Sequence, residues 1–378
     1  MRDSHRLLQD LVRIPSVNPM GRAVAGEQFY EVRVTDYLER FFRDLGVRHE
    51  RQSVAPLRDN IIARYESPGA AKTILLEVHQ DTVPVDGMTI EPFAAEVRDG
   101  KLYGRGSCDV KGGMAAMLTA FARLVRERPA EAANVILACT VDEEHTFYGV
   151  QQLMAAGLRA NFAVVAEPTS LQIVDAHKGV VRWKVRTEGR ACHSSTPEQG
   201  LNAVYRMGHV LPLIELYANR LQQSSSHPRL GPPTLSVGRI EGGVSVNTVP
   251  DHCVIEIDRR LLPGESPEAA WRDFRDHLAT APVPAVCDPI WLACPALNSD
   301  GADEVQRRLG AAIDAVEGRH AVRAVPFGTD ASSVAEAGVP AVVFGPGDIA
   351  QAHTKDEWIE LDQIDRAAEI LYRFCRDR

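Results

Sequence analysis

The sequence predicts an α/β fold: a mixed, largely parallel sheet covered by helices on both faces, carrying a smaller inserted α+β module. Three observations point there. Short apolar runs without polar alternation, NIIARY, TILLEVH, VILACTV and FAVVAE, read as strands buried on both faces. The helical segments MAAMLTAFARLVRERP and VQQLMAAGL fall among them, the alternation that parallel strands need. From about residue 178 the style changes to alternating, half-exposed strands.

Taken in order, residues 1 to 50 read as helical. Ser4 is placed to cap HRLLQDLVRI, and VRVTDYLERFFRDLG has 3.6-residue apolar spacing that stops at Gly46. The strands and helices named above follow. Between about 178 and 290, VVRWKVRTEG, PTLSVGRIEGG and HCVIEIDRRL alternate as strands, joined by helices around LNAVYRMGHVLPLIELYANRL and SPEAAWRDFRDHL. Within that part SSSHPRLGPP, residues 224 to 233, reads as a mobile loop. AVVFG near residue 343 and a last helix, IDRAAEILYRFCRD, return to the first style. The expected organisation is a discontinuous main domain, 1–177 and 291–378, interrupted by an inserted domain, 178–290.

Composition narrows the function classes. The chain has 378 residues, enough for about two domains, and is 45% hydrophobic and 25% charged, as soluble globular proteins are. The formal net charge is −9 with Lys and Arg scattered, so neither nucleic acid nor an anionic membrane has an electrostatic footprint here. A small-molecule partner is expected. MRDSHRLLQDLVRIPSVNP has no apolar run of signal-peptide length, and no stretch reaches 18 apolar residues, which predicts a cytoplasmic protein. Seven cysteines without CxxC or zinc-finger spacing read as reduced thiols.

In open α/β sheets ligands gather beyond the carboxyl ends of the strands. TILLEV delivers His79 and Asp81 there; VILACTV delivers Asp142, Glu143, Glu144 and His145; FAVVA delivers Glu167; AVVFGPGDIAQA leads to His353. A glycine-rich turn, LYGRGSCDVKGGM, adds Asp109 just before a helix. Each has an ordinary reading alone: Asp109 as a helix N-cap, the adjacent acids as a solvated turn, Glu167-Pro168 as a strand end. Their convergence on one sheet edge points to metal. Histidine and carboxylate donors without a thiolate cluster suit zinc first, then cobalt or manganese. Two histidines and four carboxylates (His79, Asp109, Glu143, Glu144, Glu167, His353) exceed one tetrahedral zinc and fit two divalent ions sharing a bridging carboxylate, an arrangement used for hydrolysis. Asp81, two residues beyond His79, is expected to accept the other ring N–H of that histidine.

HQDTVP, YGRGSCDVKGGMAAM, VDEEHTFYG, AEPT, CHSSTPEQGLNA, VNTVPD and GPGDIAQAHTKDEWIEL resemble, in that order, the motifs of the di-zinc aminoacylase and carboxypeptidase family. The likeness runs from about residue 10 to 365. It implies a di-zinc exopeptidase-like main domain in which His79, Asp109 and Glu167 hold one ion and Asp109, Glu144 and His353 the other. It also implies that Glu143 is the general base, taking a proton from a metal-bridging water and delivering it to the leaving amine. The inserted part resembles the family's lid or dimerisation domain. Its His193 resembles the oxyanion-stabilising histidine that relatives receive from a partner subunit, so a homodimer through this domain is expected. Asn247 and Arg259, beside Arg260, resemble positions that meet the substrate carboxylate or carbonyl, and Gly328 and Thr329 in PFGTD a substrate-contacting loop. The reaction implied is hydrolysis of the amide of an N-acyl amino acid. N2-acetylornithine is the first candidate, N-succinyl-diaminopimelate the second, a dipeptide or peptide C-terminus the third; a silent relative that binds metal or ligand is the non-enzymatic alternative. Cys108, where relatives mostly carry a small residue, reads as a small buried hydrophobe. His145 lacks the HExxH spacing of a zincin ligand.

Overall fold

The computed structural model describes residues 3–224 and 226–377. They divide into two compact units, one running to Asp175 and continuing in Ser299–Arg323 and from Thr329 onward, the other comprising Ala176–Asn298 and Ala324–Gly328. The second unit extends past residue 290 because Leu292–Cys294 is a strand that pairs antiparallel with Gly179–Glu188, Leu292 opposite Arg182.

The first unit is built on an eight-stranded sheet. Its order is Arg48–Ala55, Arg58–Tyr65, Asn134–Thr140, Thr73–His79, Phe162–Val165, Ala341–Val343, Ile173–His177 and Val322–Val325. The four strands from Asn134–Thr140 to Ala341–Val343 pair parallel, and antiparallel pairings flank them. Apart from the first residue of two strands, every side chain on these four is buried. Since successive side chains point to opposite faces, both faces are covered, which explains the unbroken apolar runs. The helix Gly112–Glu127 packs on Thr73–His79 and Asn134–Thr140 and against the last helix, Leu361–Arg376. The helices Tyr148–Ala155 and Ala331–Glu336 pack on each other. A small antiparallel sheet places Trp358–Glu360 beside Lys101–Tyr103, Ile359 opposite Leu102. That pairing brings the Asp109 segment next to the His353 segment.

The amino-terminal reading needs correction. Helices form at Asp3–Val12 and Val32–Asp44, but residues 13–31 between them are irregular. Ser4 lies inside the first helix, where its hydroxyl donates to Asp365 at 2.5 Å instead of capping the helix. Residues 13–31 are instead held by long-range bonds: the Asn18 N–H donates to the Thr82 carbonyl at 2.8 Å and the Ser16 hydroxyl to the Gln80 carbonyl at 2.7 Å.

In the second unit Thr234–Gly242, His252–Leu261, Gly179–Glu188 and Val286–Cys287 make an antiparallel sheet. Residues of His252–Leu261 alternate between buried and less buried, and the helices Ala203–Gln222 and Pro267–Leu278 cover the inner face. Both helices begin where the sequence supplies a cap: Asn202 accepts from the Tyr205 N–H, and Ser266, followed by Pro267, accepts from the Ala269 N–H. Phe274 packs on Trp183 and Tyr217, with ring centroids 4.9 and 5.3 Å away. In SSSHPRLGPP, Ser225 lies outside the described residues, and the described part closes a turn through two backbone bonds between His227 and Gly231. Among the described residues no helix is long and apolar enough to cross a membrane.

Candidate metal centre

Parallel register sets the site. His79 ends its strand opposite Thr140, so the turn Asp142-Glu143-Glu144 begins just beyond it. On the other side Val165 stands opposite Glu77, so Glu167, two residues on, also reaches the level of His79. Val343 pairs with Val165, and its segment continues toward His353.

Two donor groups result, His79 with Asp109 and Glu167, and Asp109 with Glu144 and His353; within each, one donor atom per residue lies within 4.8 Å of the others. Asp109 belongs to both through different oxygens. Its Oδ1 is 3.2 Å from His79 Nε2, and its Oδ2 is 3.2 Å from His353 Nε2. Glu167 Oε1 lies 3.8 Å from His79 Nε2, and Glu144 Oε2 lies 3.3 Å from His353 Nε2. Asp109 caps no helix: Gly112–Glu127 starts three residues later with Lys111 at its N-cap position, and Asp109 itself has a φ of −121° and a ψ of 93°. Glu143 is buried and stands outside both groups.

Asp81 works differently from the sequence expectation. The ring Nδ1–H of His79 donates to the backbone carbonyl of Asp81 at 3.0 Å, whereas the Asp81 carboxylate is 3.7 Å away. That carboxylate instead accepts the backbone N–H groups of Glu143, at 3.2 Å, and Glu144, at 3.1 Å. The physical reason is the turn: its N–H groups have no sheet partner, and a charged acceptor two residues past the strand end is the nearest remedy.

Sequence reasoning missed the supports of this turn. Asn18 donates to Asp81 Oδ2 at 2.8 Å and to Asp142 Oδ1 at 2.9 Å. Arg58 pairs with Asp142, whose φ of +66° is an unfavourable left-handed conformation that these contacts hold in place. Glu31, fully buried, lies 3.5 Å from Arg58, and burial pushes its carboxyl well up. A second buried pair, Glu77 and Asp330, lies behind His79; burial raises Glu77 to about 6 and Asp330 well above the usual carboxylate range. Only the SVNP and VDEE strings hinted at the first network, and nothing local marked the second.

Electrostatics argue that this donor set suits cations. Burial, with Asp109 nearby, pushes Glu167 well up; burial also raises Glu143, and raises Glu144 to about 7. Conversely, hydrogen bonds to Asp109 and Glu144 raise His353 to about 11. Burial opposes the charge of Asp109, but its bonds to His353 and His79 prevail and hold its pKa low. Carboxylates that resist ionisation while histidines stay protonated are groups competing for too little positive charge. Nitrogen and oxygen donors in two sets sharing one carboxylate fit a pair of divalent ions.

Cys108 is buried, its thiol donates to the Asp348 carbonyl at 3.3 Å, and burial pushes its pKa well up, as for an inert small hydrophobe. A Cβ at Gly21 would come within 3.1 Å of His145 Nε2, which puts this histidine against the 13–31 segment. His193, Asn247, Arg259 and Gly328 belong to the second unit and Thr329 to the first. His193 is exposed, and its Nδ1 accepts the Ser195 N–H at 3.2 Å, so the neutral ring carries its proton on Nε2. Asn247 is exposed, and its carbonyl accepts from the Ser194 N–H at 3.0 Å. Arg259 is 2% exposed and donates to Glu265 at 2.7 Å and to the Arg260 carbonyl, while its buried Nε has no hydrogen-bond partner among the described residues. A Cβ at Gly328 would stand 3.3 Å from the Lys178 carbonyl. The buried Thr329 hydroxyl accepts from the Ala331 N–H at the start of Ala331–Glu336.

Known proteins resemble this chain over most of its length. A protein from Myxococcus xanthus named acetylornithine deacetylase is 32% identical over 363 residues, covering 92% of this chain and 93% of that protein. Among solved structures, a metallo-carboxypeptidase of family M20 from Sulfolobus solfataricus superposes with a TM-score of 0.80 at 20% identity, covering 100% of this chain and 99% of that one. A dinuclear metal binding peptidase of the same family from Bacillus subtilis gives 0.68 at 18% identity, covering 99% and 96%. Residues 75–377 match peptidase family M20/M25/M40, and the chain therefore belongs to this family of hydrolases.

Proposed function

We propose that this protein hydrolyses the amide bond of N-acyl amino acids and that N2-acetylornithine is its first-choice substrate. The observation that carries the reading is Asp109, whose two oxygens face two separate donor groups, with Glu143 buried outside both. His79, Asp109 and Glu167 would hold one divalent ion and Asp109, Glu144 and His353 the other, zinc first, with cobalt or manganese able to replace it. When bound, such a pair polarises the amide carbonyl and brings a water's pKa toward neutrality.

The rest falls to the chain's own groups. Glu143, raised by burial, takes a proton from the attacking water onto its carboxylate and passes it to the leaving amine nitrogen. Asp81 keeps the backbone of that turn fixed through the Glu143 and Glu144 N–H groups. His193, with its proton on Nε2, is the proposed donor to the oxyanion, supplied from the lid-type second unit of a partner copy. Asn247, Arg259, Gly328 and Thr329 are the proposed substrate contacts. The choice of substrate is supported by the identity shared with the Myxococcus xanthus protein.

The test is a panel of N2-acetylornithine, N-succinyl-diaminopimelate and dipeptides assayed with zinc- or cobalt-loaded protein. Hydrolysis of the acetylated substrate is expected to be fastest. Glu143→Ala should keep two ions per chain and lose roughly 10²- to 10⁴-fold in kcat; undiminished activity would sink the mechanism. Mixing Glu143→Ala with His193→Ala should restore some activity if the histidine crosses between subunits, and none if it acts within one chain.

A further inference from the structure

Glu357 belongs to neither donor group. The residue is 0% exposed, and both of its oxygens are fully engaged. Oε1 accepts the backbone N–H groups of Cys108, at 2.9 Å, and Asp109, at 3.1 Å. Oε2 accepts the Gly106 N–H at 3.0 Å and the Arg105 guanidinium at 2.6 Å. A carboxylate offers about four acceptor positions, and here all four go to residues 105–109. Arg105 is buried too and also donates to the Pro84 carbonyl at 3.1 Å.

These bonds matter because of where Asp109 sits. Its backbone is neither helix nor sheet, so no regular hydrogen-bond ladder sets its direction; its N–H donates to the Glu357 carboxylate instead. Glu357 itself follows His353 by four residues in the same segment. One side chain therefore ties the turn that presents the shared carboxylate to the segment that presents the histidine of the second group. The three backbone bonds satisfy the lone pairs that a buried carboxylate must have satisfied, and by the same contacts they fix the turn that bears Asp109.

We propose that Glu357 is a positioning residue that aims Asp109 Oδ2 at His353 and Glu144 and so sets the affinity of the second donor group, with Arg105 as its buried counter-charge. The inference rests on the two-ion reading above. Glu357→Gln keeps the shape of the side chain, removes its charge and replaces one acceptor oxygen by a donor facing either an N–H or the guanidinium. Outer supports of this kind are worth about 10- to 100-fold in metal affinity.

The experiment titrates metal-free, full-length protein with cobalt, following heat and visible absorption. Wild type should take up two ions, and His353→Ala identifies the step that belongs to the second group. In Glu357→Gln that step should weaken about 10- to 100-fold, with an altered cobalt spectrum, while the other step changes much less. Arg105→Lys keeps the charge but loses the planar fork, and should weaken the same step by less. Wild-type affinity and spectrum in Glu357→Gln overturn the proposal, and so does equal weakening of both steps, which is the mark of general support. Should Glu357→Gln not fold, an unchanged second step in Arg105→Lys overturns it alone. Failure of wild type to bind two ions is a different result, and it removes the two-ion reading itself.

Discussion

At the scale of single residues, Asp81 meets His79 through its main chain and not, as expected, through its carboxylate. Its main-chain carbonyl orients His79, and its carboxylate holds the Glu143-Glu144 backbone. Asp81→Asn retains the carbonyl contact but puts a donor toward N–H groups, so activity should fall about 10- to 100-fold with His79 still in place; steady-state kinetics and metal counts would check this. His353 yields a prediction about protons. Its pKa is raised from 6.5 to about 11, and that of Glu144 from 4.5 to about 7. Both folded values exceed the unfolded ones, so in metal-free protein the folded state binds more protons and stability declines with rising pH, through Glu144 between about 4.5 and 7 and through His353 between about 6.5 and 11. A cation reverses that slope because it replaces the protons. Tm measured against pH with and without chelator should therefore diverge upward in pH, and calorimetry in two buffers should show protons released on metal binding. The donor types of His79, Glu144 and Glu167 were legible because each stands just past an apolar run, and that of Asp109 because it lies in a glycine-rich turn before a helix. Asn18, Arg58 and Glu357 were not, because their partners lie far along the chain, 63 residues from Asn18 to Asp81 and 248 from Glu357 to Asp109, and nothing local encodes such a contact.

Elements of secondary structure were read best where one physical rule dominated. Thr73–His79 emerged within its stated bounds because a strand covered on both faces is a continuous apolar run. Residues 13–31 went wrong because proximity to helical segments was extended over a stretch that owes its shape to Thr82 and Gln80. Close approach between elements gives a third prediction. A Cβ at Gly345 would come within 2.6 Å of the Glu167 carbonyl. Gly345→Ala should therefore push Glu167 away from His79, cost about 1–3 kcal/mol of stability, and weaken the His79 group more than the His353 group in a cobalt titration. The strand Ile173–His177 gives a fourth. His177 is fully buried, and burial lowers its pKa to about 4. Here the unfolded state binds more protons, so stability is complete above about 6.5 and is lost as pH falls through the folded value, by on the order of 3 kcal/mol. Urea unfolding between pH 7 and 4 should show the loss, and His177→Gln should flatten it.

For the whole molecule, the first unit gathers like charge that its own hydrogen bonds do not neutralise. On the two-ion reading an ion held at 1,000 times its Kd adds about 4 kcal/mol, which for a unit of this size is a rise of roughly 10 °C in Tm. Calorimetry before and after chelation measures it directly, and an unchanged Tm would show that the carboxylates are compensated without metal. The change from unbroken to alternating strands near residue 178 falls close to the division between Asp175 and Ala176. The closing boundary of the second unit was not legible, because Leu292–Cys294 is short and joins that unit only through pairing with Gly179–Glu188.

The strand Ala341–Val343 pairs with Phe162–Val165 and with Ile173–His177 inside the first sheet, yet it is translated after every residue of the second unit, Ala176–Asn298 and Ala324–Gly328. During synthesis the first unit must therefore wait with a gap in its sheet while the second emerges whole. The part that is inserted in the sequence is thus the first able to finish folding, and the donor set that needs His353 comes together only afterwards. A ribosome-bound chain stopped before residue 341 should already show a protease-resistant second unit while having no capacity for the second ion.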